Sequence, residues 1–245
     1  MKKRLIVIAS ILAVSISANA QLFTYTFSDV TTSSGTTSAG GTASNLIFSS
    51  FSAIGTPANP NASNRFSFID WATGATDGLD TFTGSVDTGE YYEFTITPTN
   101  GVAIDLSSIA FTIQRSPTGI RQYSVRSSLD NYAANLSASI SPSNANLSVV
   151  SGDIFQIVDT ITSAQNGSTV TLGLEFDSIA SAVSFRFYGF NAEASSGTFS
   201  IDNVAVFGAL TAVPEPHEYA FAIAALLGFL VLVRRKAVSG CLIHN

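Results

Sequence analysis

Across residues 21–212 apolar side chains recur at every second position, and no stretch carries a long apolar stripe at helical spacing. Phe23, Tyr25 and Phe27 alternate with Thr24 and Thr26, and Tyr92, Phe94 and Ile96 alternate with Glu93, Thr95 and Thr97. The same period appears at Tyr123 and Val125, and at Val170, Leu172, Leu174 and Phe176. It returns at Val183, Phe185 and Phe187 opposite Ser184, Arg186 and Tyr188. Each run is a strand with one apolar face and one wet face, and roughly ten such runs lie between polar turns. Strands of that kind are stable only when two sheets cover each other's apolar faces. The expectation is an all-β chain, an antiparallel β-sandwich of jelly-roll type, with few and short helices.

The alternation slips in two places. Ile104 and Leu106 point one way, and after Ser107-Ser108 the pattern resumes at Ile109, Phe111 and Ile113 in the other register, which calls for a bulge. A second slip at Asp202-Asn203 separates Phe199 and Ile201 from Val204 and Val206. Asn100-Gly101 and Asn166-Gly167 are turn signals. Residues 31–43, rich in Thr, Ser and Gly, read as a loop of low order, and Pro57-Ala58-Asn59-Pro60-Asn61 as another loop. Nothing marks a second domain or an internal repeat.

Both ends differ from this body. Lys2-Lys3-Arg4, an apolar stretch over residues 5–16 and the small residues Ala18 and Ala20 have the layout of a secretory signal peptide, with the mature chain beginning at Gln21. At the other end, Val213-Pro214-Glu215-Pro216 precedes an apolar run of 15 residues, 219–233, and then Arg234, Arg235 and Lys236. A helix started by Pro216 and continued to Arg235 approaches the length of a membrane span, since arginines extend to the interface. The basic cluster holds that end in the cytoplasm, which puts everything before Pro214 outside.

Pro-Glu-Pro, an apolar span and a short basic cluster, in that order and beside a signal peptide, resemble the PEP-CTERM sorting signal of exported bacterial proteins. The resemblance covers residues 213–236. It implies a substrate of an exosortase, a membrane-embedded transpeptidase-like enzyme of Gram-negative bacteria that make extracellular polysaccharide. In such proteins Pro214, Glu215 and Pro216 would form the recognition element. Members commonly stop soon after the basic cluster, whereas this chain continues over residues 237–245, read as a cytoplasmic tail containing Cys241 and His244. The segment Gly119-Ile120-Arg121-Gln122-Tyr123-Ser124-Val125-Arg126-Ser127-Ser128-Leu129-Asp130 and the segment Ser200-Ile201-Asp202-Asn203-Val204 look like pieces of exported jelly-roll domains. The first reads as a strand and a turn capped by Asp130. The chain is thus divided into a signal peptide (1–20), an ectodomain (21–212), a sorting signal with its helix (213–236) and the tail.

Composition narrows the function. Setting aside the six basic residues of the two ends leaves Arg65, Arg115, Arg121, Arg126 and Arg186 in the ectodomain, against 15 of the 17 acidic residues, a balance of −10. Such a body is repelled by nucleic acid and by anionic membrane surfaces. Cys241 is the only cysteine, so no intrachain disulfide is possible. Both histidines, His217 and His244, lie outside the body, which excludes Ser-His and Cys-His couples there. A carboxylate-based glycosidase would draw on Asp77, Asp80, Asp87, Glu90 and Glu93, although acids in loops and on wet faces are ordinarily solvated. Asp77-Gly78-Leu79-Asp80 with Asp202 offers hard oxygen ligands of the kind calcium takes, against the alternative of aspartates closing turns. Trp71, Tyr91, Tyr132 and Tyr188 are the candidate platforms for a sugar. The function expected is that of a non-enzymatic surface or matrix protein with a structural or adhesive role and no cofactor. Polysaccharide binding is the alternative.

Overall fold

The computed structural model describes residues 19–76, 79–99 and 101–212. Ala18, the expected sorting motif Pro214, Glu215 and Pro216, and the basic cluster Arg234, Arg235 and Lys236 lie outside the described residues, as do Asp77 and Asn100. Among the described residues no helix is long and apolar enough to cross a membrane.

In chain order the strands are β1 (Ala20–Tyr25), β2 (Thr37–Ser38), β3 (Gly41–Ala43), β4 (Leu46–Phe48), β5 (Phe51–Ile54), β6 (Phe66–Phe68), β7 (Ala72–Thr73), β8 (Ala75–Thr76) and β9 (Leu79–Phe82). They continue with β10 (Tyr91–Pro98), β11 (Val102–Gln114), β12 (Ile120–Ser127), β13 (Ser137–Ile140), β14 (Leu147–Val150), β15 (Ile154–Ile157), β16 (Gln165–Thr171), β17 (Val183–Ala192) and β18 (Phe199–Ala212). A first sheet runs β1-β18-β11-β16-β13, with β6 also paired to β18. A second runs β14-β15-β12-β17-β10-β4-β3, with β5 and β2 continuing from β10 and β7 from β17. Pairing is antiparallel except between β7 and β17. From β10 to β13 the chain changes sheet at every step, and it does so again from β15 to β18.

The expected alternation holds where it was clearest. Along β10, Tyr92, Phe94, Ile96 and Pro98 are buried while the intervening residues are half-buried. Both phase slips are bulges. Leu106 stands opposite Gly208 and Ser108 opposite Phe207, so Ser107 is the extra residue, and Ile104, Leu106, Ile109, Phe111 and Ile113 all reach the core. Opposite Ala110 and Thr112, β18 supplies Ala205 and Asp202, and Asn203 absorbs the extra length at φ 49°.

Other expectations are corrected. Asn166-Gly167 is no turn: it lies within β16, where the register against β11 shifts and Gly167 takes φ 108°. A Cβ on Gly167 would stand 2.5 Å from the Pro142 carbonyl oxygen. Residues 31–43 are ordered, because the Asp29 carboxylate accepts from Ser38 Oγ (2.7 Å) and the Ala39 N–H (2.9 Å), fixing β2. Leu174 does not continue the β16 alternation. It opens a 3-10 turn, Leu174–Phe176, that leaves Leu174 86% exposed and buries Phe176. Gly101 turns at φ 85°, and the connection joins strands of different sheets rather than a hairpin.

Aromatic rings fill the space between the sheets. Phe51 packs against Tyr25, Phe27, Phe66, Tyr92, Phe94 and Phe187, which come from both sheets and the loop after β1. Tyr123 stacks on Phe155 at 4.9 Å, and its hydroxyl meets Ser168 Oγ at 2.8 Å across the sandwich. Tyr25 donates to the Ser49 carbonyl, and Tyr92 receives the Phe68 N–H while donating to the Phe199 carbonyl. Removing the Phe51 ring is expected to lower stability by about 3–5 kcal/mol in urea unfolding of Phe51→Ala, the cost of a core aromatic cavity.

Burial raises the phenols of Tyr25, Tyr92 and Tyr123 above their ordinary value, against smaller opposing effects of their hydrogen bonds. A raised folded-state value means the native chain holds the proton more tightly than the unfolded one. That stabilisation is complete below the unfolded phenol value of about 10 and is lost as pH rises towards the folded values. Alkaline titration should therefore give cooperative unfolding beginning above about pH 10, with tyrosinate absorbance rising together with loss of the β-sheet circular dichroism. Tyrosinate appearing in a chain that keeps its sheets would contradict this.

Candidate functional site

Three clusters of polar side chains stand out from the β scaffold. The first is on the outer face of the second sheet, where Glu93, Arg186 and Arg126 are register partners across β10, β17 and β12. The Arg186 guanidinium lies 4.0 Å from the Tyr91 ring and 3.8 Å from the Tyr132 ring, sandwiched between them. Its Nε donates to Glu93 Oε2 at 2.6 Å, and the Tyr132 hydroxyl donates to the same oxygen at 3.2 Å. Arg126 donates to Asn135 Oδ1 (2.8 Å) and to the Tyr132 carbonyl (3.2 Å), with Tyr188 below it at 5.2 Å. Tyr132 is delivered by the turn after β12, where Asp130 accepts the Ala133 and Ala134 N–H groups and Asn131 and Tyr132 take φ 57° and 60°. This is the aspartate-capped turn that the sequence predicts.

Of the four aromatic candidates, Tyr91 and Tyr132 thus meet, with Arg186 between them. Trp71 belongs to the core: it is 1% exposed, lies edge-on to Tyr92 and Phe199, and donates Nε1 to the Phe68 carbonyl at 3.0 Å. Tyr188 points away from Phe185 and Phe187 as its phase requires, but Arg126 and Tyr91 cover it to 1% exposure. Two of the platforms are therefore withdrawn, and the other two face a guanidinium.

The second cluster is buried and was not anticipated. Arg115 and Arg121 have fully buried side chains. Arg115 pairs with Glu193 and with Asp159 (3.4 Å), and Arg121 with Asp159 (3.1 Å) and Asp80. Arg115 also donates to the Pro117 (2.7 Å), Gly119 (3.2 Å) and Asp159 carbonyls, and Arg121 to that of Ile157 (3.2 Å). Burial works to raise the Asp159 carboxyl, but the hydrogen bond to Glu193 and the two guanidiniums together bring it below its ordinary value. Burial, reinforced by Asp159, holds Glu193 above its own. Arg121 shares the phase of Tyr123 and Val125 along β12, which turns it to the core side of the sheet. The segments around Asp80, Asp159 and Glu193 close over both arginines and supply their counter-charges.

Among the described residues the acidic candidates form no metal-ligand group. Asp80 pairs with Arg121, Asp87 accepts the Gly89 N–H at 2.7 Å, and Glu93 pairs with Arg186. Glu90 is raised by burial and by Asp87 and Asp70. Asp202 sits beside Arg65 on β18, away from the Arg121 cluster that holds Asp80, and among the described residues no three His, Cys, Asp or Glu side chains assemble as metal ligands.

The third cluster lines a groove over the first sheet, where β6 joins β18. Two adjoining cavities of about 100 and 320 Å³ share Arg65, Gln114 and Ser200. Asn61, Ser67 and Ser200 are chained by hydrogen bonds beneath it, and Gln114 Nε2 donates to the Thr162 carbonyl at 2.9 Å. Asp202 lies at one end, its carboxyl raised by burial against the opposing Asn203 N–H and Arg65.

Comparison with known proteins gives no family: neither a family model nor a curated protein matches the sequence. Among solved structures, the chain is similar to the K3 cleaved adhesin domain of Lys-gingipain from Porphyromonas gingivalis, at 12% identity and a TM-score of 0.38, covering 78% of this chain and 99% of that one. The K2 cleaved adhesin domain of Lys-gingipain gives 13% identity and 0.28, over 77% and 97%. CBM27-1 of Caldicellulosiruptor saccharolyticus in complex with mannohexaose gives 11% and 0.28, over 63% and 80%.

The buried ion cluster should dominate stability measurements. Arg115→Met removes the nearer partner of Glu193, which is 3% exposed and retains only Arg121 at 3.8 Å, and is expected to cost about 3–5 kcal/mol in urea unfolding. Asp80→Ala removes a carboxylate that is 67% exposed and should cost under about 1 kcal/mol.

Proposed function

We propose that this chain is an exported surface protein whose sandwich serves as a structural or adhesive body. In this reading residues 1–20 are removed on export, residues 213–236 insert in the membrane, and an exosortase acts near Pro214, Glu215 and Pro216. The body is then left at the cell surface or in the extracellular matrix. The chain's repeated passage between sheets is read as that of a jelly roll.

The observation that carries the proposal is the fit of the sheets to the interval between the two signals. β1 begins at Ala20 and β18 ends at Ala212, so paired strand runs from one expected boundary to the other. Ala20 lies opposite Gly208, and Ala212 opposite Val102, so both boundaries emerge at one end of the first sheet. Cleavage after Ala20 would trim a single residue from β1 and leave the Gln21 pairing with Phe207 in place. A non-catalytic role accords with the occupied carboxylates: Asp80, Glu93, Asp159 and Glu193 are each held by an arginine.

Polysaccharide binding is the second reading. It is favoured by the groove at Arg65, which is lined mainly by polar side chains and where the Arg65 guanidinium has no hydrogen-bond or ion-pair partner among the described residues.

In a host that contains an exosortase, intact mass should show a chain beginning at Gln21 and lacking the segment after Pro-Glu-Pro. Deleting Pro214, Glu215 and Pro216 should restore the mass of a chain that keeps Cys241. Recovery of the full-length chain as soluble cytoplasmic protein would refute export altogether.

A further inference from the structure

We propose that the groove at Arg65 is a binding site for a neutral sugar residue, held between Arg65 and Asp202. The inference rests on the polysaccharide reading and gives it a location and a ligand class.

Arg65 is unlike the other four arginines of the body. Arg115, Arg121 and Arg186 are ion-paired, and Arg126 is hydrogen-bonded to Asn135 and Tyr132. Arg65 has no ion pair or hydrogen bond among the described residues, and its Nε is shut off from solvent without an acceptor. The Nε is closed to a ligand as it is to water, and it is the terminal guanidinium nitrogens, without a partner among the described residues, that an acceptor entering the groove would meet.

Acceptors and donors both remain available around it. Gln114, which lines the cavity, engages its amide nitrogen with Thr162 and has no hydrogen bond to its oxygen among the described residues, and Asn203 N–H takes only one Asp202 oxygen at 2.8 Å. Asn61 and Asn64 add amides from the loop before β6. A hydroxyl both donates and accepts, so a ring carrying several of them can receive from Arg65 and give to Asp202 and Gln114 at once.

Charge decides between sugar classes. Arg65 and Asp202 carry opposite charges in the same lining, and the body around them carries −10. An acidic saccharide would meet Asp202 and a repulsive field, whereas a neutral one meets neither penalty. The lining contains no aromatic residue, so recognition rests on hydrogen bonds rather than stacking. The cavity that Asp202 lines is about 100 Å³ and opens beside one of about 320 Å³ across Arg65, Gln114 and Ser200, so one sugar unit of a longer chain would lie in the larger space and reach Asp202 at its edge.

The test is calorimetric titration of the full-length chain, in a detergent without a sugar headgroup, with neutral hexamers of cellulose, xylan and galactan and with acidic oligomers of galacturonate and alginate. At least one neutral oligomer should bind. Arg65→Met and Asp202→Asn should each weaken it about tenfold or more, the effect of losing a charge-assisted hydrogen bond. Tyr91→Ala, on the other sheet, should leave affinity unchanged. Circular dichroism melting of each variant separates misfolding from lost contacts, and Gln114→Ala provides a third probe at an exposed rim. Binding that survives Arg65→Met and Gln114→Ala, or that vanishes with Tyr91→Ala, would overturn the groove while leaving the polysaccharide reading intact. Binding of acidic oligomers alone would overturn the ligand class. No binding by any oligomer would remove the polysaccharide reading and this inference with it.

Discussion

Two sheets without a covalent link between them must be joined by what they bury, and here that is a continuous bed of aromatic rings. Cys241 is the only cysteine and stands outside the sandwich, so nothing cross-links its unfolded chain. Phe51, Phe66, Phe94, Phe185, Phe187 and Phe199 are fully buried and come from five different strands of the two sheets. Ring-on-ring geometry adds to area burial, since edge and offset contacts are favoured over sandwiches. The arrangement also explains why the tyrosines are recruited inward. A phenol at the sheet interface fills the space of a phenylalanine and reaches a partner on the far side, as Tyr123 reaches Ser168 and Tyr92 the Phe199 carbonyl.

That demand has a functional consequence. A chain whose aromatic residues hold its sheets together has few to offer a ligand, and the single tryptophan is among those enclosed. The arginines divide in a similar way. Arg115 and Arg121 close the segments around Asp80, Asp159 and Glu193 over one end of the sandwich, Arg115 saturating three carbonyls and Arg121 one that would otherwise be buried unmet. Arg186 and Arg126 fasten the turn at Tyr132 onto the outer face of β17. Arg65 is left with neither task.

Much of the sheet architecture was legible because period-two patterning is a direct image of which face is buried. Even the bulges at Ser107 and Asn203 were visible, since an extra residue shifts the phase of every side chain after it. Leu174 was misread because an apolar residue in phase carries no mark of the chain turning away, and the Gly173 break preceding it was the signal available. Asn166-Gly167 was misread because a glycine at positive φ serves a bulge as well as a turn. Burial of Tyr188 could not be read from the pattern at all. Alternation tells which side of a sheet a residue faces, but a loop from elsewhere decides whether that side is wet. The same limit hid the groove: Arg65, Gln114 and Asp202 come from three separate segments, none with a motif.

Topology relates the groove to the ends of the body. Along the β11–β18 pair, Val102 faces Ala212 at one end and Gln114 faces Ser200 at the other. The intervening strand is extended at about 3.3 Å per residue, which separates the groove from the point where the chain leaves the sheet by roughly 40 Å. Ala20 emerges beside Gly208, so the amino end of the body shares the Ala212 side. An attachment through the carboxyl end would then hold that side close to the membrane and turn Arg65, Gln114 and Asp202 outward. A site built on hydrogen bonds alone binds weakly as a single unit. Many copies held at one surface and facing a repetitive polymer would bind it through effective concentration rather than through any one contact.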